Sequence, residues 1–490
     1  MSSEAHHLHP AAMIIDAART IRRALSAFVI PGIALLMSRG FSMQTLGLVL
    51  FGALLAAALA VLWGFLSWRA TTYEVSGGAF RLRRGVLQKN ERTIPLEHVQ
   101  SVDTVQGIIQ RLFGVVEVRV ETAGGGASDP DASLPALARA DADALRREIE
   151  GSRREPVEQE AAGPAVLRRL STRDLLVAGA TSGQIGVAFS LLAVFSQIFD
   201  DLGSFFSEEL LRRTLERVAP NSLVVVLLLV LAVGLLAWLL AIAGTVLAHA
   251  GFTLSREGEF LYIKRGLLER REATIPIARI QAVRVVEGLL RQPFGLASLR
   301  VESAGYGEAS GVSTTLFPLL SRKDAVKLLL DAAPQLAVAP TLEPLPARAL
   351  RRYVFRSIVP VLFVAAALAL ASPLAFDLAA WVIFAVLLLV LPAGLLGWLR
   401  YRDAGWAYAG DLLVVRSRLL ARTTTIAPRR RLQSREVIRN PLQRRARLAT
   451  FRARVASGGG GAELQVTDLG AGEAEALAGE LGPRVRRGSR

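Results

Sequence analysis

The side chains best suited to chemistry in this 490-residue chain are arginines, gathered at Arg83-Arg84, Lys264-Arg265, Arg429-Arg430-Arg431 and Arg444-Arg445. From Arg400 to Arg454 there are 15 arginines against three acids, Asp403, Asp411 and Glu436, a local net charge of +12 in a chain whose net charge is +16. A guanidinium fork binds phosphate oxygens bidentately. A basic residue held beneath an anionic leaflet gains about 1 kcal/mol. The chemistry on offer is recognition of phosphate, above all of anionic lipid headgroups or of a protein partner. Arg83, Arg84, Lys264, Arg265, Arg429, Arg430, Arg431, Arg444 and Arg445 are the candidate contacts. The same charges also suit topology anchoring and solvated domain faces.

Covalent and metal chemistry have little to work with. There is no cysteine, which excludes disulfides, thiolate metal sites and cysteine nucleophiles. His6, His7 and His9 could ligate a metal but stand in a polar amino-terminal tail, and His98 and His249 are isolated. No phosphate-cradling glycine loop, His-Glu-x-x-His or Gly-x-Ser-x-Gly occurs. Gly124 to Gly126 and Gly458 to Gly461 read as flexible hairpin tips. The expectation is a non-enzymatic protein with no metal and no cofactor.

The elements that position the arginines are membrane spans. A bilayer core of about 30 Å needs about 20 apolar residues in a helix. No Asp, Glu, Lys or Arg interrupts the runs between Arg39 and Arg69, Asp174 and Asp200, Arg217 and His249, Arg356 and Asp377, and Asp377 and Arg400. A shorter run, Ala24 to Ser38, contains Pro31 but is flanked by Arg22, Arg23 and Arg39, which can snorkel. Six spans in three pairs are expected. Long basic segments follow each pair, so the positive-inside rule places the amino terminus and those segments in the cytoplasm. The connection from Asp200 to Asn221 mixes acids and arginines and suits the outer face. Leu167-Arg168-Arg169-Leu170 and Leu350-Arg351-Arg352-Tyr353 read as short interfacial helices before the later pairs. The spans hold few polar groups; Thr181, Ser182, Gln184 and Ser190 in the third, with Gln197 at its end, are the residues a transport path would use.

Between the pairs the chain repeats itself. Arg84-Gly85-Val86-Leu87, Ile94-Pro95, Val99-Gln100, Phe113-Gly114, Val118-Arg119-Val120-Glu121 and Ala123-Gly124 return as Arg265-Gly266-Leu267-Leu268, Ile275-Pro276, Ile280-Gln281, Phe294-Gly295, Leu299-Arg300-Val301-Glu302 and Ala304-Gly305. From Gly85 onward the offset is a constant 181 residues. A worn third copy reads Ser417-Arg418-Leu419-Leu420, Ala427-Pro428, Leu432-Gln433 and Leu442-Gln443-Arg444, with Ile-Pro and Phe-Gly lost. Within each copy apolar and polar residues alternate as in half-buried strands. Gly77-Gly78 and Gly258 mark hairpins, Gly85 and Gly266 mark turns that need positive φ, and Pro95 and Pro276 mark a strand exit. A helix closes each copy, at Arg139 to Ile149, Ser321 to Leu330 and Gly472 to Leu481, with Ser321 and Asp324 as a cap.

The Arg-Gly-x-Leu turn, the Ile-Pro-x-x-x-[Val/Ile]-Gln segment, the Phe-Gly stretches Gln110-Arg111-Leu112-Phe113-Gly114 and Arg291-Gln292-Pro293-Phe294-Gly295, and the Val-Glu-x-Ala-Gly end resemble the bacterial pleckstrin-homology membrane proteins of the YdbS/YdbT type. The resemblance covers nearly the whole chain. Gly85, Pro95, Gln100, Phe113, Gly114, Gly266, Pro276, Gln281, Phe294 and Gly295 carry it and read as structural. It implies three PH-like barrels, each capped by its carboxy-terminal helix, and implies no enzymatic activity. The expected order is tail and spans one and two at 1–68, a PH-like domain at 69–152, a linker at 153–166, spans three and four at 167–249, a PH-like domain at 250–332, a linker at 333–346, spans five and six at 347–400, and a divergent domain at 401–490. The expected function is a scaffold at the cytoplasmic face of a bacterial inner membrane, binding protein or anionic lipid. The rival is a transporter or lipid-handling protein that uses the six-helix bundle. Membrane lipids and a protein partner are the expected associates; no nucleic-acid module is visible.

Overall fold

The structure, a computed structural model, describes residues 6–21, 43–122, 132–151, 164–182, 223–303, 315–371, 380–456 and 462–480. The expected first span, the third span beyond Ser182 with Gln184, Ser190 and Gln197, the Asp200–Asn221 connection and both glycine tips lie outside them, as does the side chain of Gln100. The described chain forms two compact units. One comprises Met1–Arg169, Gly251–Pro276 and Ala309–Val312; the other comprises Leu170–Ala250, Ile277–Glu308 and Ser313–Arg490.

Among the described residues each copy contributes seven strands in one order. Copy one has β1 (His6–His7), β2 (Thr72–Ser76), β3 (Ala79–Arg84), β4 (Asn90–Pro95), β5 (Val99–Gln106), β6 (Val115–Thr122) and β7 (Ala132–Ala138). Copy two has β8 (Ala165–Arg169), β9 (Thr253–Glu257), β10 (Phe260–Arg265), β11 (Arg270–Pro276), β12 (Ile280–Glu287), β13 (Leu296–Ser303) and β14 (Thr315–Ser321). Copy three has β15 (Glu343–Pro344), β16 (Gly405–Ala409), β17 (Leu412–Arg418), β18 (Arg422–Pro428), β19 (Leu432–Ile438), β20 (Leu448–Val455) and β21 (Ala462–Gly470). The first strand of each copy precedes its spans and pairs with the strand that follows them.

The turn chemistry acts as the residues dictate. Gly85 and Gly266 sit at φ +117° and +104°, and a Cβ there would meet a carbonyl oxygen at 1.9 and 2.0 Å, so no other residue fits. Pro95 and Pro276 end the fourth strand of their copies, where the missing N–H costs no ladder bond. The closing helices run Arg139–Gly151, Arg322–Ala332 and Ala471–Glu480; Ser321 accepts from the Asp324 backbone N–H at 3.1 Å.

The sheets are open, which corrects the expected barrels. Strands β5 to β7 do not close with β2 to β4. The sheet orders are β1-β2-β3-β4, β7-β6-β5-β11-β10-β9-β8, β14-β13-β12-β18-β17-β16-β15 and β19-β20-β21. The fifth strand of one copy gives its free edge to the fourth strand of the next, so the ladder that would close a barrel is spent between copies. Apolar side chains fill the space between the sheets of copy one (Phe80, Leu82, Val118, Leu134, Leu145) and of copy three (Leu413, Val415, Phe451, Leu464, Leu477).

Among the described residues four helices are long and apolar enough to cross a bilayer: Met43–Arg69, Leu231–His249, Ala349–Leu370 and Val382–Asp403. They fall on the second, fourth, fifth and sixth expected spans. Glycines let the helix before each second span approach it closely. A Cβ on Gly64 would lie 2.6 Å from the Met13 carbonyl oxygen, one on Gly179 3.0 Å from Cα of Ile242, and one on Gly397 2.7 Å from Cα of Val354.

Two further readings need correction. His6 and His7 belong to β1 opposite Tyr73 and Thr72, and residues 11–21 are helical, with Leu8, Ala11, Ala12 and Ile15 buried in the first core. Leu167-Arg168-Arg169 form part of β8 rather than an interfacial helix, because β9 offers them a ladder. Leu350 to Tyr353 are helical, within Ala349–Ala371.

Candidate membrane-facing binding surface

Chain direction fixes which end of each copy lies near its spans. The second span of each pair ends at Arg69, His249 or Asp403 and leads at once into β2, β9 or β16. The turn between the third and fourth strands, and the short helix or turn between the fifth and sixth, therefore return to the span end. The 3₁₀ turns after the fourth strands lie at the far end. Two contacts in the second unit agree. Arg400, in the last turn of its span, donates from Nε to the Leu419 carbonyl at 3.1 Å. Arg291 donates to Thr181 Oγ1 at 3.0 Å and to the Ala178 carbonyl at 3.1 Å, both at the end of the helix Thr172–Ala180.

This near end carries exposed apolar side chains in every copy. They include Leu87 and Leu112 in copy one, Leu289 and Phe294 in copy two, and Leu419 and Leu442 in copy three, with Leu87 89% exposed and Phe294 72%. In water such exposure is unfavourable; beside a bilayer it gives loops that can enter the headgroup region. Phe113 and Phe294, read as structural, are partly or largely exposed here; Gly114 and Gly295 beside them adopt φ of +66° and +62°.

The candidate cations divide between the two ends. Arg83 and Arg84 close β3 at the near end, with Arg83 paired to Glu91 at 3.2 Å. Lys264 pairs with Glu272 at 3.4 Å. Burial, and then the neighbouring Arg271, lower the Arg265 pKa to about 10, which leaves it cationic at neutral pH. Arg444 and Arg445 are exposed on the short near-end helix Pro441–Arg445. Arg429, Arg430 and Arg431 form the 3₁₀ turn at the far end, where Arg431 donates to the Ala278 carbonyl of copy two. The densest basic run in the sequence thus stands apart from the others.

Copy three builds a cleft from Arg444 together with three arginines that sequence reading did not single out. Arg348, Arg439, Arg444 and Arg447 line a space of ≈ 570 Å³ with Leu448, Gly470, Ala471, Gly472 and the single acid Glu473. Arg348 donates to the Arg447 carbonyl at 3.1 Å and Arg439 pairs with Glu475. The cleft opens where the helix Ala471–Glu480 begins, so its N–H dipoles add to the positive potential. Arg447 holds φ +52°, a left-handed conformation that Gly114 and Gly295 supply in the other copies. An arginine there is strained by roughly 1–2 kcal/mol. The signal in the sequence was this loss of Phe-Gly, which looked like wear.

Each second sheet is tied to the helix that starts its span pair. In copy one Arg19 reaches Glu117 at 2.5 Å. In copy two Arg291, whose pKa burial and then Arg300 lower to about 10, bonds to helix and sheet oxygens. In copy three Arg352, at 3.0 Å, and Arg356 grip the fully buried Asp468. Such ties fix the second sheet of each copy to the helix that packs on its second span. Among the described residues no group of His, Asp and Glu is placed to hold a metal ion.

Comparison with known proteins agrees with the repeat. The model of the bacterial PH domain matches three times, at residues 21–153, 201–332 and 359–485. The chain is 30% identical over 488 residues to the UPF0699 transmembrane protein YdbT of Bacillus subtilis (strain 168), covering 96% of both chains. No solved structure matches. With three family matches along its length and a transmembrane relative of the same extent, this membrane protein belongs to the bacterial PH domain family.

Proposed function

We propose that the protein is a non-enzymatic, membrane-anchored scaffold whose third copy binds the phosphate of anionic lipid headgroups. Six spans would hold PH-like domains at 69–152, 250–332 and 401–490 against the cytoplasmic face of a bacterial inner membrane. The four-arginine cleft of copy three, open at the span end of its domain, carries this reading. The exposed apolar tips beside it support the same orientation. Three tethered domains raise the local concentration of any single weak contact.

Extraction in mild detergent followed by mass spectrometry of retained lipid and protein tests the binding. Enrichment of anionic lipid, reduced several-fold by Arg444→Gln with Arg439→Gln, is expected. Unchanged lipid alongside a stoichiometric protein that dissociates in the same variant would replace the lipid with a protein partner. Orientation is testable because the chain lacks cysteine. Single cysteines at Ser128, Ser310 and Ser457 should resist an impermeant maleimide in intact cells, whereas one at Ser204 should react; all four lie outside the described residues.

A further inference from the structure

The chain makes one sheet joint twice and leaves both halves of a third copy of it open. In the first unit β5 pairs with β11, with Thr104 opposite Glu272, Val105 opposite Arg271 and Gln106 opposite Arg270. In the second unit β12 pairs with β18, with Val285 opposite Thr424, Val286 opposite Thr423 and Glu287 opposite Arg422. Shifted by the repeat offsets, 181 residues between copies one and two and 152 between Pro276 and Pro428, the two registers are the same. Both joints are closed by charge: Arg139 to Glu272 at 3.1 Å in the first, Arg422 Nε to Glu287 Oε1 at 2.9 Å in the second.

The rule is that the fifth strand of a copy takes the fourth strand of the next. β19 is the fifth strand of the last copy and β4 the fourth strand of the first. Each is the outer strand of its sheet among the described residues. Burial shows what the joint does to a fourth strand. Ala273 and Thr274 on β11, and Thr425 and Ile426 on β18, are buried, whereas Arg92 and Thr93 at the same places on β4 are exposed. On β19, Glu436 and Ile438 are likewise exposed.

We propose that β19 of one chain pairs with β4 of a second copy of this chain, in the register of the internal joints, to give a head-to-tail assembly in the membrane plane. That register sets Glu436 opposite Arg92, Val437 opposite Glu91 and Ile438 opposite Asn90. An unpaired edge is a template for strand addition, and main-chain hydrogen bonds supply the affinity. The charges on β4, Glu91 and Arg92 with Lys89 beside them, disfavour arbitrary strands, while Arg92 matches Glu436. Lys89 would face Arg439, the one unfavourable pair in this register. The second copy is the occupant because the surface β19 lacks is a fourth strand of this repeat, and β4 is the fourth strand left open. The contact is heterologous, so it can extend beyond two chains. It stands independently of lipid binding at the cleft.

Disulfide trapping in native membranes tests the joint. Two full-length chains with different tags are co-expressed, one carrying Asn90→Cys and the other Ile438→Cys. Directly opposed residues hold Cβ atoms about 4.5–5.5 Å apart, near enough for mild oxidation to link them. The expected product joins the two tags. Its yield falls several-fold when Arg92→Glu is added to the first chain and returns when Glu436→Arg is added to the second. Thr104→Cys with Glu272→Cys in one chain is the internal control and should close within that chain. Closure of the control without a mixed-tag product overturns the proposal. So does capture of a different protein by either cysteine, or a mixed-tag product indifferent to the charge exchange.

Discussion

The turn between the fifth and sixth strands is one element in three versions, and copy three differs from the other two at the positions that matter. In copies one and two the turn ends in Phe-Gly, an exposed aromatic followed by a glycine in the left-handed region. In copy three it ends in Ala446-Arg447, and the left-handed conformation is kept although a side chain opposes it. The backbone role is shared by copies two and three: the carbonyl of Gly295 accepts from Arg322 N at 3.0 Å, and that of Arg447 from Ala471 N at 3.1 Å. What changed is what the turn presents, an apolar ring in one case and a guanidinium beside three others in the other. Where copy three lacks the Phe-Gly motif, the fold has a four-arginine cleft.

The buried position inside the same turn sharpens the contrast. It is held by Gln110, Arg291 and Gln443. Arg291 carries the charge of its tie itself, while Gln443 donates to Asp468, which receives two arginines from the span helix. The largest expected effect follows from this difference. Asp468→Ala removes the buried acceptor of Arg352, Arg356 and Gln443 and should cost about 3 kcal/mol, seen as a lowered unfolding midpoint in detergent; an unchanged midpoint would show that the tie does not hold copy three together. Next come Gly85→Ala and Gly266→Ala, each expected to destabilise by roughly 1–3 kcal/mol because the turn cannot take a Cβ. Arg418→Gly, at the matching place in copy three, relieves nothing of that kind, although it removes the 2.5 Å pair with Asp403. If Gly85→Ala were silent, the steric account of the Arg-Gly-x-Leu turn would fail.

Arg447→Gly separates stability from binding. It should raise stability by about 1 kcal/mol as the left-handed strain is released and at the same time lower retention of anionic lipid; a variant that loses stability would mean the arginine is there for packing. The smallest effect is expected at Arg83→Ala. Its pair with Glu91 is exposed on both sides, and such pairs contribute roughly 0–1 kcal/mol, so thermal midpoints should barely move.

Much of this architecture could be read from residue order. Charge-free runs of bilayer length marked the spans, period-two alternation marked the strands, and a constant offset marked the repeat. Gly85, Gly266, Pro95, Pro276 and the Ser321 cap announced their local conformations because sterics and the missing N–H act within a few residues. The part played by residues 6–21 was not legible, since a two-residue strand and residues 11–21 carry too little pattern to be recognised apart from the core they enter. The four-arginine cleft was half legible: Arg444 stood out in a basic run, but Arg348 lies about 100 residues away and only the fold brings it near.

The sequence by itself determined the membrane class, the threefold repeat, the strand and turn positions and the lack of cysteine chemistry, because each depends on composition or on neighbours along the chain. The tertiary structure alone decided how strands pair between copies. Alternation tells a strand which face is buried but not which strand lies at its edge, and backbone N–H and C=O groups are the same in every residue except proline. For that reason open sheets running from copy to copy, with β4 and β19 left at the ends, could not be told from three closed barrels until the ladders themselves were seen.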